Sequence, residues 1–169
     1  MLKDAKIELM KVESFDGQRE DEEIVAVWRQ HPFVLVKPAL IIIGIIAFGS
    51  IPSAFFSPSW GVKFLLLFIA AAGIYGILSY YLWLSTLYIL TNQRILAITQ
   101  SSLFSRAINE VPLQNIQNVS HHKKGVFQMS FDFGTIEIQT AGAAVSMRIV
   151  NVSHPYFVQQ KILAKEEER

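Results

Sequence analysis

The chain has 169 residues, of which 51% are hydrophobic and 17% charged, with a formal net charge of +1 and no cysteine. Ordinary soluble domains carry about 25% charged residues, so this chain is charge-poor. The lack of cysteine excludes a disulfide scaffold, thiolate catalysis, iron–sulfur clusters and cysteine zinc sites. A net charge of +1 argues against a nucleic-acid binder, which needs a strongly basic face.

Residues 1–21 are acidic on balance; Asp16-Gly17 marks a turn, and residues 5–12 alternate weakly, as a strand or a disordered arm would. Residues 22–31 place Ile24, Val27, Trp28 and His31 at helical spacing behind a pair of acids. That spacing predicts a short amphipathic helix lying on a membrane, at the end of a cytoplasmic arm formed by residues 1–32.

No charge occurs from Pro38 to Val62, or from Phe64 to Gln93. Crossing a hydrocarbon core of ~30 Å takes roughly 20 mainly apolar residues, and these runs supply two spans, at about 38–57 and 64–84. Neither has the polar face of a surface helix in a soluble protein. Gly44, Gly49, Gly73 and Gly76 suit spanning helices, where small residues let backbones approach. The alternative, two core helices of a soluble protein, leaves too little other chain to surround them. The link Ser57-Pro58-Ser59-Trp60-Gly61 is a tight turn, so residues 33–85 form an antiparallel hairpin. Trp60 falls at one end of it, with Trp28, Tyr80, Tyr81, Trp83 and Tyr88 near the other, as interfacial aromatics distribute. Trp28, Arg29, His31, Lys37, Trp60 and Trp83 are the expected interface anchors. Lys and Arg number six before the hairpin, one within its link and eight after it. This bias predicts a multi-pass membrane protein with both termini cytoplasmic. The mixed-charge first 32 residues do not read as a signal peptide.

Beyond residue 85 the texture becomes that of short strands. Residues 88–99 are β-branched and aromatic on both sides of a Thr91-Asn92-Gln93-Arg94 turn, a hairpin signal. Residues 104–111, 116–121 and 144–150 alternate, and residues 135–140 do so strictly, with Ile136 and Ile138 on one face and Glu137 on the other. Gly142 marks another turn. A closing helix is capped by Ser153 or His154, with Pro155 in its first turn and Pro155, Val158 and Ile162 on one face. The domain runs over 86–165, and residues 166–169 read as a solvated tail, since acids oppose the dipole at a helix C-terminus.

Strands followed by one helix is the order of a pleckstrin-homology-like barrel. Three motifs carry the likeness: Tyr88-x-Leu90-Thr91-Asn92-x-Arg94-Ile95; Val111-Pro112-Leu113-x-x-Ile116-x-x-Val119; and Phe133-Gly134-Thr135-Ile136-x-Ile138-x-Thr140-Ala141-Gly142. Over roughly residues 86–160 the chain resembles the bacterial PH-domain proteins, in which membrane segments commonly flank the domain. The resemblance implies a PH-like barrel, and with the two spans the chain reads as a membrane α+β protein: a two-helix transmembrane hairpin followed by a small antiparallel PH-like β-barrel or sandwich with a C-terminal helix. It implies no enzymatic activity, and no cofactor is expected. Members often have a glycine turn after the second strand, where this chain has Gln100-Ser101-Ser102-Leu103-Phe104-Ser105.

Catalytic readings are weak. Asp132-Phe133-Gly134 matches the kinase magnesium tripeptide without the other kinase motifs. Ser130, His121 and Asp132 lack a nucleophile elbow, and strands separate Glu110 from Glu137. Adjacent His121 and His122 would point to opposite faces of a strand, so they would not share a metal. The remaining constellation is basic: His121, His122, Lys123 and Lys124, joined by Arg106 or Arg148. Beside a cytoplasmic leaflet such residues contribute about 1 kcal/mol each to binding anionic lipid. The sequence therefore predicts a non-catalytic scaffold or adaptor for membrane protein assembly. Its partners would be the lipid bilayer and a second copy or another membrane protein, not nucleic acid. The alternatives are an anionic-lipid-binding module and an accessory subunit of a transporter or stress-response complex.

Overall fold

The computed structural model of the chain describes residues 15, 17–55, 57–141 and 147–168. The expected strand or arm at 5–12, and the turn residues Asp16 and Gly142, lie outside the described residues. The chain divides into two compact units, one of residues 1–30, 87–99 and 107–169, the other of residues 31–86 and 100–106.

The second unit is built on two helices. A 3₁₀ turn, Pro32–Leu35, leads into α1, Val36–Ser50, and another, Ile51–Ala54, precedes α2, Pro58–Ser85. The residues 32–50 and 58–85 are long and apolar enough to cross a membrane, and only 6% and 11% of their most apolar stretches are buried. Core helices of a soluble protein would be mostly covered. The residues that are buried are small: Gly49 on α1, Gly61 and Ala72 on α2. Gly49 lies so close to the Phe68 side chain that a Cβ there would overlap it, and the Phe48 and Phe68 rings meet edge-on at 5.8 Å. The buried positions of the two helices thus go to small residues, and the large apolar side chains are left exposed.

The first unit is β-rich. β1 (Ile24–Arg29), β2 (Leu87–Thr91), β3 (Arg94–Ser102) and β4 (Ser105–Pro112) form an antiparallel sheet in that order. β5 (Ile116–His122), β6 (Phe133–Thr140) and β7 (Met147–Ser153) form a second. A five-residue helix α3, Val126–Ser130, joins β5 to β6, and α4, Pro155–Glu167, closes the chain. One core collects Trp28, Tyr88, Leu90, Ile95, Leu113, Ile136, Ile138 and Ile149, and α4 adds Val158 and Ile162 to it. Burial of this apolar surface is the main favourable term in the unit's stability.

The strand hairpin around Thr91–Arg94, the alternation of β6 and the buried face of α4 match expectation. Three readings need correction. The helix expected over 22–31 is β1, which pairs antiparallel with β2, Trp28 opposite Tyr88. Its spacing imitates a helix because the register shifts between Ile24 and Ala26. That bulge puts Ile24 and Val27 against Ile89 and Leu96 on one face, while Ala26 and Trp28 enter the main core on the other. In chain order the hairpin thus falls between the first and second strands of the sheet, not ahead of the domain. The two sheets are also not closed into a barrel: among the described residues, what links the end of β1 to β7 is an isolated bridge, Gln30 to Val152. Finally, Glu166 and Glu167 belong to α4, not to a tail; Lys165 Nζ in the last turn donates to Glu168 Oε2 at 2.6 Å and offsets the acids.

Candidate functional site

The basic cluster is divided by the strand that carries it. Along β5, Val119 and His121 face α4, where the His121 ring Nδ1 lies 2.6 Å from Gln159 Oε1 and Gln159 Nε2 donates to the Val119 carbonyl at 2.5 Å. His121 therefore positions the helix. His122 takes the opposite face, with its Nε2 3.5 Å from Glu137 Oε2. Arg148, opposite Glu137 on β7, reaches the same carboxylate with Nε at 3.1 Å. Lys123 is occupied differently, since its ammonium pairs with Asp132. Asp132 also accepts from the His154 ring at 2.5 Å, and its carbonyl accepts the His154 backbone N–H at 2.8 Å. The hydrogen bond from Lys123, aided by His154, holds the Asp132 carboxyl below its ordinary pKa. Asp132 and His154 both adopt left-handed backbone, φ 50° and 49°. The kinase-like tripeptide is thus the entry to β6, with Asp132 at the corner and Phe133 and Gly134 in the strand. On β6, a Cβ on Gly134 would come 2.6 Å from the His122 carbonyl oxygen, so only glycine fits.

What remains of the cluster is a shallow cleft on the outer face of β5–β7, lined by His122, Lys124, Gln128, Glu137 and Arg148. Lys124 is exposed, and its backbone N–H donates to Gln128 Oε1 at 2.5 Å. Arg106 belongs to the other compact unit. Among the described residues no group of three or more His, Cys, Asp or Glu is placed to hold a metal ion.

A second constellation escaped sequence reasoning. Arg94, buried at the start of β3, donates from Nε and Nη2 to the two oxygens of Glu22, both at 2.9 Å, and from Nη2 to the Gly17 carbonyl at 2.9 Å. Glu110 takes the Nη1 side. Thr91 Oγ1 donates to Glu22 Oε1 at 2.8 Å. Asn92 closes the clamp: its side-chain oxygen accepts the Glu23 N–H at 3.0 Å and its amide donates to the Asp21 carbonyl at 3.1 Å. Bonding to Arg94 outweighs burial and brings the Glu22 pKa from 4.5 to about 2, while Glu22 raises that of Arg94. The Thr91-Asn92-x-Arg94 motif therefore fastens the segment leading into β1. Its pairing partners lie some seventy residues away, which no local pattern reveals.

The expected interface anchors separate into two groups. Trp28 is only 6% exposed within the main core, so it is a core residue and not an interfacial one. Arg29 is half-buried beside it on β1. In the helical unit His31 Nδ1 accepts the Phe33 N–H at 3.1 Å and caps the turn before α1, and Lys37 is exposed in the first turn of α1. Trp60 is exposed near the start of α2, with Lys63 Nζ 4.6 Å from its ring centre, and Trp83 packs on Tyr80 near the end. At 1.5 Å per residue Trp60 and Trp83 are about 35 Å apart along the helix, the scale of a hydrocarbon core.

One surface has no counterpart in the sequence reading. Val126, Phe127, Met129 and Phe131, on and just after α3, are between 53% and 76% exposed. No alternation or helical face marks these residues as interior, yet four large apolar side chains reach solvent within six positions.

The model of the bacterial PH domain matches residues 34–166, so the chain belongs to the bacterial PH domain family. The match begins ahead of α1 and takes in both apolar helices as well as the strands. A crystal structure of a DUF1696 family protein with a pleckstrin-homology domain, from Shewanella loihica PV-4, is similar over 48% of this chain and 70% of that one, at 14% identity and a TM-score of 0.39. No curated protein matched the sequence.

Proposed function

We propose that this protein is a non-catalytic membrane protein whose PH-like unit serves as a scaffold or adaptor in membrane protein assembly. In this reading α1 and α2 cross the bacterial inner membrane as an antiparallel hairpin, with both termini in the cytoplasm. Support for the crossing comes from the length and exposed apolar surface of both helices, and for the orientation from the excess of Lys and Arg outside the hairpin link. The observation that carries the scaffold role is the exposed cluster of Val126, Phe127, Met129 and Phe131. Contiguous apolar surface on a folded domain marks a place where another molecule binds. Membership in a family built on a typically non-catalytic domain agrees with it.

A photo-crosslinking side chain at Phe127, with one at Glu167 as reference, tests the role in native membranes. Discrete protein adducts from position 127 alone, lost on Met129→Ser, are expected. Adducts with lipid and none with protein would replace the scaffold by the second reading, an anionic-lipid module. The cleft with Lys124 and Arg148 favours that reading, although Glu137, paired with Arg148, cancels part of its charge.

A further inference from the structure

The turn between β3 and β4 carries residues that neither the core nor the backbone requires. β3 ends at Ser102 and β4 begins at Ser105, so Leu103 and Phe104 alone make the turn. Residues 101–110 are all exposed, and Phe104 is 99% exposed. Two-residue turns favour Asn, Asp and Gly because their usual types need positive φ. Leu103 and Phe104 are not among the residues with positive φ, so this turn accepts other side chains, but nothing in its geometry calls for two large apolar ones. They add nothing to the core either.

Three facts indicate what covers them. Residues 100–106 group in one compact unit with the two apolar helices. No acid occurs from Gln100 to Asn109, and Ser101, Ser102 and Ser105 flank the apex without charge. Arg106, exposed, follows two positions behind Phe104. An apolar aromatic apex with a cation set just behind it suits the boundary of a bilayer, where the ring meets acyl chains and the guanidinium meets phosphate.

We propose that Leu103 and Phe104 insert into the headgroup–acyl boundary of the bilayer that holds α1 and α2, with Arg106 against lipid phosphate. The turn is then a third, non-spanning membrane contact that restrains the β3–β4 hairpin at the surface. The proposal rests on the membrane reading above, and its test separates the two.

The chain lacks cysteine, so single cysteines report single sites. Full-length protein is reconstituted in vesicles of phosphatidylcholine and phosphatidylglycerol. A polarity-sensitive fluorophore is placed on Ser102→Cys or, as a span control, on Leu66→Cys of α2, and lipids spin-labelled high on the acyl chain serve as quenchers. Both probes are expected to lose most of their emission. Phe104→Ser, at a fully exposed position, should leave the fold intact and lower the ratio of inserted to free turn at Ser102 at least about tenfold, the effect of withdrawing one aromatic side chain from an apolar phase. Arg106→Glu should lower it further when phosphatidylglycerol is present than in phosphatidylcholine alone. A quenched probe on α2 with an unquenched one at Ser102 overturns this inference and leaves the membrane reading standing. If neither probe is quenched, both fall. Quenching at Ser102 that ignores Phe104→Ser also overturns it.

Discussion

The two units use the same residue types in opposite ways. In the β unit Ile136, Ile138 and Ile149 are sealed inside, and polar residues such as Glu137 face outward. In the helical unit Leu66, Leu67, Ile74 and Ile77 are exposed, and the buried positions go to Gly49, Gly61 and Ala72. Water drives large apolar side chains inward, because that is where their surface leaves contact with it. Lipid tails supply no such force, so close backbone approach governs packing and small residues take the interface. The two units thus bury opposite kinds of residue, and under the membrane setting proposed for the helices the contrast can be tested unit by unit.

The largest effect is expected at the clamp that ties β1 to the β2–β3 turn. Arg94→Met strands the buried Glu22 carboxylate and should destabilise the β unit by about 3–5 kcal/mol, the usual result of removing one member of a buried pair. Urea-dependent proteolysis of the full chain in vesicles measures it, and an unchanged midpoint would mean that the pair is not buried in solution.

Core truncation is next. Ile138→Ala should cost about 2–5 kcal/mol in the same assay. Ile74→Ala removes a similar side chain from α2 and should leave the midpoint where it was, since its surroundings are not a protein core. Equal losses at both positions would erase the contrast between the units.

Acid probes the clamp without mutation. Glu22 has a folded pKa of about 2 against 4.5 when free. Its contribution is therefore fully present above pH 4.5 and is lost as pH falls through that window toward 2. At 1.36 kcal/mol per pKa unit this amounts to about 3 kcal/mol. Glu22→Gln should flatten the fall, as a pH series of unfolding midpoints would show.

The smallest effect concerns the cleft. Because Lys123 is engaged by Asp132, only Lys124 of the two lysines is available to anionic lipid. Lys124→Ala should weaken any binding of the protein's β unit to phosphatidylglycerol surfaces by about 1 kcal/mol, and Lys123→Ala by less. The difference should fade once salt shortens the Debye length well below about 10 Å. Equal effects from both lysines would place Lys123 in the cleft after all.

Periodicity alone established the two long apolar helices, the alternation of Ile136 and Ile138, and the buried stripe of Pro155, Val158 and Ile162 on α4, because each is a property of neighbours along one element. The three motifs were enough to indicate the family. Tertiary structure decided the rest. β1 reads as a helix until its bulge and its partner β2, some sixty residues on, are known. Trp28 looks like an interfacial anchor until Tyr88 lies opposite it. The basic run at 121–124 looks like one patch, yet strand alternation sends His121 to α4 and His122 to Glu137, and the corner at Asp132 claims Lys123. Charges are neutralised, and polar or apolar side chains covered, by residues remote in sequence. A pattern of neighbours states what a residue can do; the partner brought to it by folding decides what it does.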